Sequence, residues 1–233
     1  MESVISLNLS GLVLMSFLML AAWIIHLLLN NAGVVDIAWA FGLALLSILY
    51  ASLGFGDVFR KWILAGMVTV WGIRLSFHLL LRTLSHEEDG RYQYLREQWK
   101  NRIALKFLAF FQFQAVLNVV LALPFLIVSL NEKKGISFFE IAGLCIWVLA
   151  VTGESIADRQ LQQFKSIPSN KDKTCRKGLW NYSRHPNYCF EGLIWVSFFV
   201  FALGSPFGWL SVTSPLLMLH FLFNVTGIPA TEA

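Results

Sequence analysis

The chain has 233 residues, 57% of them hydrophobic and 14% charged, with a mean hydropathy of +0.63. A soluble domain carries about a quarter charged residues, so this composition excludes a water-soluble globule. The sequence pI near 9.1 does not point to nucleic acid, because the basic residues form no continuous soluble face and sit in loops beside apolar blocks.

A bilayer core about 30 Å thick needs roughly 20 apolar residues per helix, and backbone groups in lipid must be satisfied within the segment. The apolar blocks here are continuous, unlike the alternating segments of a β-barrel. They predict an all-α polytopic membrane protein with about seven transmembrane helices, over 5–29, 33–53, 62–82, 105–130, 136–158, 188–204 and 208–225. The first block has no basic segment before it and no small-residue cleavage site, so it reads as a retained helix. Pro124 falls inside the fourth span and predicts a kink there. The last two spans are short and could instead form one hairpin that does not fully cross. With no internal repeat and no low-complexity tract, residues 1–233 read as one membrane-embedded domain.

Charge sets the expected orientation. The loop after the third span, with its flanks, carries Arg82, Arg91, Arg96, Lys100, Arg102 and Lys106; the loop after the fifth carries Arg159, Lys165, Lys171, Lys173, Arg176, Lys177 and Arg184. The opposite side has Arg60, Lys61, Lys133 and Lys134. The positive-inside rule places the richer loops in the cytoplasm and the N-terminus outside.

Ionisable residues within spans are functional candidates, because a charge at mid-membrane costs at least about 2.5–3.5 kcal/mol. Asp36 opens the second span; it can pair with Arg74, cap the helix, or act as an acid. In the third span Arg74, His78 and Arg82 recur at steps of four and share one helix face, so a carboxylate or a cofactor phosphate is expected opposite them. The blander reading has Arg82 reaching the headgroups, His78 bonding a neighbouring helix and Arg74 pairing with an acid. Gln112, Gln114 and Asn118 lie in the fourth span, where hydrogen bonds between helices are the expected use. Glu154 and Asp158 lie one turn apart near the end of the fifth, and the helix is expected to continue through Lys165. Carboxylates there suit ribose hydroxyls, proton transfer or plain solvation; no partner spacing supports a metal. Cys145, Cys175 and Cys189 have no ligand spacing and read as packing residues.

The densest polar stretch is Gly178-Leu179-Trp180-Asn181-Tyr182-Ser183-Arg184-His185-Pro186-Asn187-Tyr188, followed by Glu191. Arginine's fork suits phosphate or carboxylate, His185 titrates near neutrality, and Pro186 suits a helix start whose free amides favour anions.

This stretch resembles the C-terminal signature of steroid 5α-reductase-like membrane proteins. Together with Asp36-Ile37-Ala38-Trp39, Trp71-Gly72-Ile73-Arg74-Leu75 and Arg91-Tyr92…Leu95-Arg96, it is most similar to the bacterial branch named domain of unknown function 1295. The resemblance spans roughly residues 30–230. It implies a seven-helix fold in a bacterial inner membrane that takes a lipophilic substrate from the bilayer and NADPH from the cytoplasm. On that basis Asp158 and Asn187 hold the cofactor, Lys165 and Lys173 lie near its phosphates, and Arg74, Arg184, His185 and Glu191 support the pocket. The steroid enzymes polarise the substrate carbonyl with an acid and a tyrosine; Asp36 and Tyr92 are the candidates for that pair here, and His78 is a further catalytic candidate. The implied activity is NADPH-dependent reduction of a conjugated carbon–carbon double bond. An Arg-His-Pro core also occurs in isoprenylcysteine carboxyl methyltransferases, so S-adenosylmethionine-dependent methylation of a lipid is the alternative, and a non-catalytic relative the third. Family members continue past Gly227-Ile228-Pro229 and Glu232 into a basic, tyrosine-containing tail. This chain ends at Ala233, which leads us to expect that the tail is lost or the chain cut short.

Overall fold

A computed structural model describes residues 2–85, 87–170 and 173–227. Lys171, Ile228, Pro229, Glu232 and Ala233 lie outside the described residues. Among the described residues the regular structure is entirely helical, as α1 (Glu2–Leu29), α2 (Val34–Leu53), α3 (Val58–Ser85), α4 (Gly90–Trp99), α5 (Ile103–Leu121), α6 (Leu123–Ser129), α7 (Phe138–Lys165), α8 (Pro186–Ala202) and α9 (Thr213–Asn224). Five of these, α1, α2, α3, α5 and α7, are long and apolar enough to cross a membrane. The protein is an integral, polytopic α-helical membrane protein. With 17 and 12 residues, α8 and α9 are about 25 and 18 Å long at 1.5 Å per residue.

Pro124 does more than kink the fourth span. It sits in the first turn of α6, and α5 has already ended at Leu121. Proline has no N–H to donate one turn back, so the helix breaks at Ala122, whose own amide still bonds to the Asn118 carbonyl.

The chain forms two compact units, Met1–Gly135 and Ile136–Ala233, divided at the end of the polar stretch Asn131-Glu132-Lys133-Lys134-Gly135. In the first, α2 packs on α3 and on α1, and α1 also packs on α5. Met15, Met19, Leu43, Leu46, Trp71, Phe107 and Phe111 are fully buried there. Small residues let α2 and α3 approach closely: a Cβ on Gly72 would lie 2.8 Å from the Ala40 carbonyl oxygen. Asn118 donates to the Trp39 carbonyl at 3.0 Å and Gln112 to that of Ser16 at 3.3 Å, so α5 is tied to α2 and α1 by interhelical hydrogen bonds. Arg60 is buried and donates to the carbonyls of Asn131, Lys133 and Gly135. Its charge is spent on loop carbonyls, so it is not one of the exposed residues that orient the helices.

In the second unit α7 packs along α8, and α8 on α9. Ile194, Trp195, Phe198 and Phe201 form its core with Ala150 and Ala157. At the start of α7 the Glu140 side chain reaches back to accept from the Ser137 amide at 2.6 Å, leaving one fewer amide unsatisfied at that end. As the sequence suggests, α7 continues to Lys165.

Candidate functional site

The polar residues of the first unit converge where α2 begins. The sequence between the third and fourth spans reads as a loop, but it contains α4. That helix starts at Gly90 because Asp89 caps it, accepting from the Arg91 amide at 3.0 Å. Capping aspartates satisfy a helix's free amides and complement the positive end of its dipole. One turn on, α4 turns Tyr92 inward until it is 3% exposed.

Asp36 lies in the first turn of α2, behind Gly33, which takes the cap position. Its Oδ1 accepts from the Tyr92 hydroxyl at 2.7 Å. Its Oδ2 accepts from Arg91 Nη2 at 3.1 Å. Arg91 also bonds Asp89 through Nε at 3.0 Å, and Asp89 takes a further ion pair from Arg82. Burial would lower Arg91, but the facing carboxylates of Asp36 and Asp89 outweigh it and raise its pKa, so it stays charged. Burial alone would raise Asp89; the Arg91 hydrogen bonds and charge, with Arg82, reverse this and hold it below the usual carboxylate value. Burial and then the Asp36 charge push the Tyr92 phenol well up, so it keeps its proton at neutral pH.

A second set anchors this arrangement. Glu88 forms a two-pronged pair with Arg96, at 2.7 Å to Nε and 3.0 Å to Nη2. The same carboxylate accepts from the Ala32 amide at 2.6 Å. Glu88 therefore joins the α1–α2 corner to the far end of α4. Arg96 lies 5.0 Å over the Phe107 ring and 3.4 Å from Nδ1 of buried His26. Beside Asp36, a cleft of about 30 Å³ is lined by Asn31, Gly33, Arg82, Thr83 and Asp89, which is room for one water.

Of the third-span column, Arg82 reaches a carboxylate, Arg74 is half-buried and His78 is exposed. His78 makes no hydrogen bond or ion pair among the described residues. The cleft is lined by Leu79, Arg82 and Thr83 of α3, and His78 lies about 100° around the helix from Leu79.

In the second unit the turn Gly178–Asn181 is fixed to the end of α7. Gln160 accepts from the Leu179 amide and Trp180 Nε1 donates to the Ala157 carbonyl, both at 2.9 Å. Gly178 has φ +56° and lies so close to Gln160 that a Cβ would meet its side chain at 2.2 Å. His185 is the N-cap residue of α8 and stacks on Tyr188, with rings 5.4 Å apart and 9° from parallel. Glu191 is buried and accepts from Trp195 Nε1 at 2.9 Å. Glu154 is buried and Asp158 half-buried on α7, while Arg184, Lys165 and Lys173 are exposed. Asn187 is half-buried, and its Oδ1 is fully buried with no hydrogen-bond partner among the described residues. An acceptor left so costs about 1–3 kcal/mol. Among the described residues no His, Cys, Asp and Glu side chains group to hold a metal ion.

Residues 22–233 match the profile of a family described as protein of unknown function (DUF1295). The chain belongs to that family. A protein of Schizosaccharomyces pombe described as uncharacterized is 27% identical, over 82% of this chain and 63% of the relative; the chain thus spans under two thirds of that protein's length. No solved structure gives a significant match.

Sequence reading of this DUF1295 protein singles out Asp36, Tyr92 and Arg91 but not Glu88 or Asp89. The available signal was local: an aspartate before Gly90 at the start of a polar segment is an N-cap pattern.

Proposed function

We propose that the protein is an NADPH-dependent membrane reductase of an enone-type carbon–carbon double bond in a lipophilic substrate. The observation that carries this reading is the Tyr92–Asp36 hydrogen bond of 2.7 Å. It supplies the tyrosine–acid pair that the resemblance to steroid 5α-reductase-like proteins implies. The Tyr92 phenol keeps its proton at neutral pH, and its single O–H, which rests on Asp36 Oδ1, would turn from that carboxylate to hydrogen-bond a substrate carbonyl. Asp36 orients the hydroxyl, and Arg91 balances the Asp36 charge so that the pair is not an isolated anion near lipid. Donation to the carbonyl stabilises the enolate that forms as the double bond is reduced.

NADPH, when bound, supplies the hydride. The second unit fits such a group: the orphaned Asn187 Oδ1 can accept from a carboxamide N–H, and Asp158 can accept from a ribose hydroxyl. Exposed Arg184, Lys165 and Lys173 suit phosphates, while His185 and Glu191 frame the start of α8. Arg74 stands among the cofactor-binding candidates on resemblance alone. We place the basic loops in the cytoplasm and the protein in a bacterial inner membrane, on the charge asymmetry and the family branch.

The test is thermal stabilisation of the detergent-solubilised protein by NADPH, with S-adenosylmethionine in a parallel arm. NADPH should raise the melting temperature, and Asn187→Leu should reduce that shift. Stabilisation by S-adenosylmethionine alone would move the reading to lipid methylation. No shift with either would remove the reductase reading.

A further inference from the structure

The side-chain pairing described above sorts the basic residues around α4 into two groups. Arg82 and Arg91 are neutralised by Asp89 and Asp36, and Arg96 by Glu88. Lys100, Arg102 and Lys106 are exposed, and none has an ion-pair partner among the described residues. Glu97, the one carboxylate left on α4, is exposed and pairs with none of them.

These three cations surround the start of α5. Lys106 Nζ donates to the Trp99 carbonyl at 3.0 Å, which closes the turn on itself. Cations at that end of a helix oppose its dipole, and α5 has no acidic residue in its first turn. The turn also holds Lys100 and Arg102 at φ +40° and +54°, a backbone region that costs non-glycine residues free energy. An external anion would relieve the charge conflict.

The same corner sits at the edge of the apolar layer. Leu105, between Arg102 and Lys106, is 56% exposed. Trp23 Nε1 donates to the Ala104 carbonyl at 2.9 Å, and the Trp99 ring packs against Phe107 at 4.9 Å. Tryptophans of this kind mark headgroup depth. Three unpaired cations beside exposed leucine match a ligand with an anionic head and an acyl body.

We propose that Lys100, Arg102 and Lys106 form a binding site for the phosphate headgroup of an anionic phospholipid. The test titrates the detergent-solubilised full chain with phosphatidylglycerol or phosphatidylcholine and counts bound lipids by native mass spectrometry. The wild type should prefer phosphatidylglycerol. The triple variant Lys100→Gln/Arg102→Gln/Lys106→Gln should bind it about tenfold more weakly, within what three interfacial charges supply. Lys133→Gln/Lys134→Gln should bind as the wild type does. If the triple variant melts early, Lys100→Gln and Arg102→Gln are read singly, and each must lower phosphatidylglycerol binding. Three results overturn the proposal: no preference over phosphatidylcholine, an equal loss in the Lys133/Lys134 variant, or displacement of the lipid by equimolar inorganic phosphate.

Discussion

The hydroxyl of Tyr92 donates to Oδ1 of Asp36 at 2.7 Å, across 56 positions of sequence. The bond joins a ten-residue polar helix to the first turn of a membrane span. Removing either partner should have distinct effects. Tyr92→Phe loses one hydrogen bond and leaves the Asp36–Arg91 pair, so it should cost about 1 kcal/mol of stability. Asp36→Asn keeps an acceptor for Tyr92 but takes a charge from Arg91, and should cost about 1.5–3 kcal/mol. Both should lower NADPH-dependent reduction of a lipophilic enone probe by about a hundredfold or more. Thermal melts and NADPH consumption read the two effects separately; a Tyr92→Phe protein of undiminished rate would remove Tyr92 from the chemistry.

The depressed Asp89 carboxyl makes a prediction about acid. A carboxyl lower in the folded than in the unfolded chain binds fewer protons when folded near its titration range. Its contribution is present above the ordinary value of 3.8 and is lost as pH falls through the lower folded value. Wild-type melting temperature should therefore fall more steeply than that of Asp89→Asn as pH drops below about 4. Parallel slopes for the two proteins would contradict the assignment.

Glu88 and Arg96 should behave as one unit. Glu88→Ala frees the Ala32 amide and leaves Arg96 half-buried without its carboxylate, so it should cost about 3 kcal/mol. Glu88→Gln keeps an acceptor for the amide and should cost less. In a double-mutant cycle with Arg96→Ala, the coupling should be about 1–3 kcal/mol. A coupling near zero would mean that the pair is no more than a surface contact.

The sequence made the long helices legible because a block of some 20 apolar residues has few other uses. Interruptions to that pattern were harder to weigh. Pro124 sits in apolar surroundings that suit either a kink or a break, and only the end of α5 at Leu121 and the restart at Leu123 decide for a break. The ten residues of α4 were not legible as a helix, since they are mostly polar and bury Tyr92 alone. Nor was the partner of Asp36. Arg74 attracts attention as a charge within a span, whereas Arg91 reaches Asp36 because Asp89 caps α4 and Glu88 ties it to Ala32. Such convergence depends on tertiary geometry, which no spacing in the sequence records. In the second unit the sequence located the Gly178–Glu191 stretch, but not that Gln160 and Trp180 would bind it to α7.

The packing of α7 on α8 gives a test of the fold itself. A Cβ on Gly143 would lie 2.7 Å from the Phe201 amide nitrogen and 2.8 Å from its Cα. These are backbone atoms, so no rotamer change can make room, and the two helices must separate. Gly143→Ala should cost about 1–3 kcal/mol, the usual penalty for overpacking. Gly66 on α3 is the control, because a Cβ there meets nothing within 4 Å. Gly66→Ala should be neutral or stabilise by up to about 1 kcal/mol, from helix propensity alone. Thermal melts of the two variants in one detergent give the comparison. An equal loss in both would show that the close approach of α7 to Phe201 is not what makes Gly143 necessary.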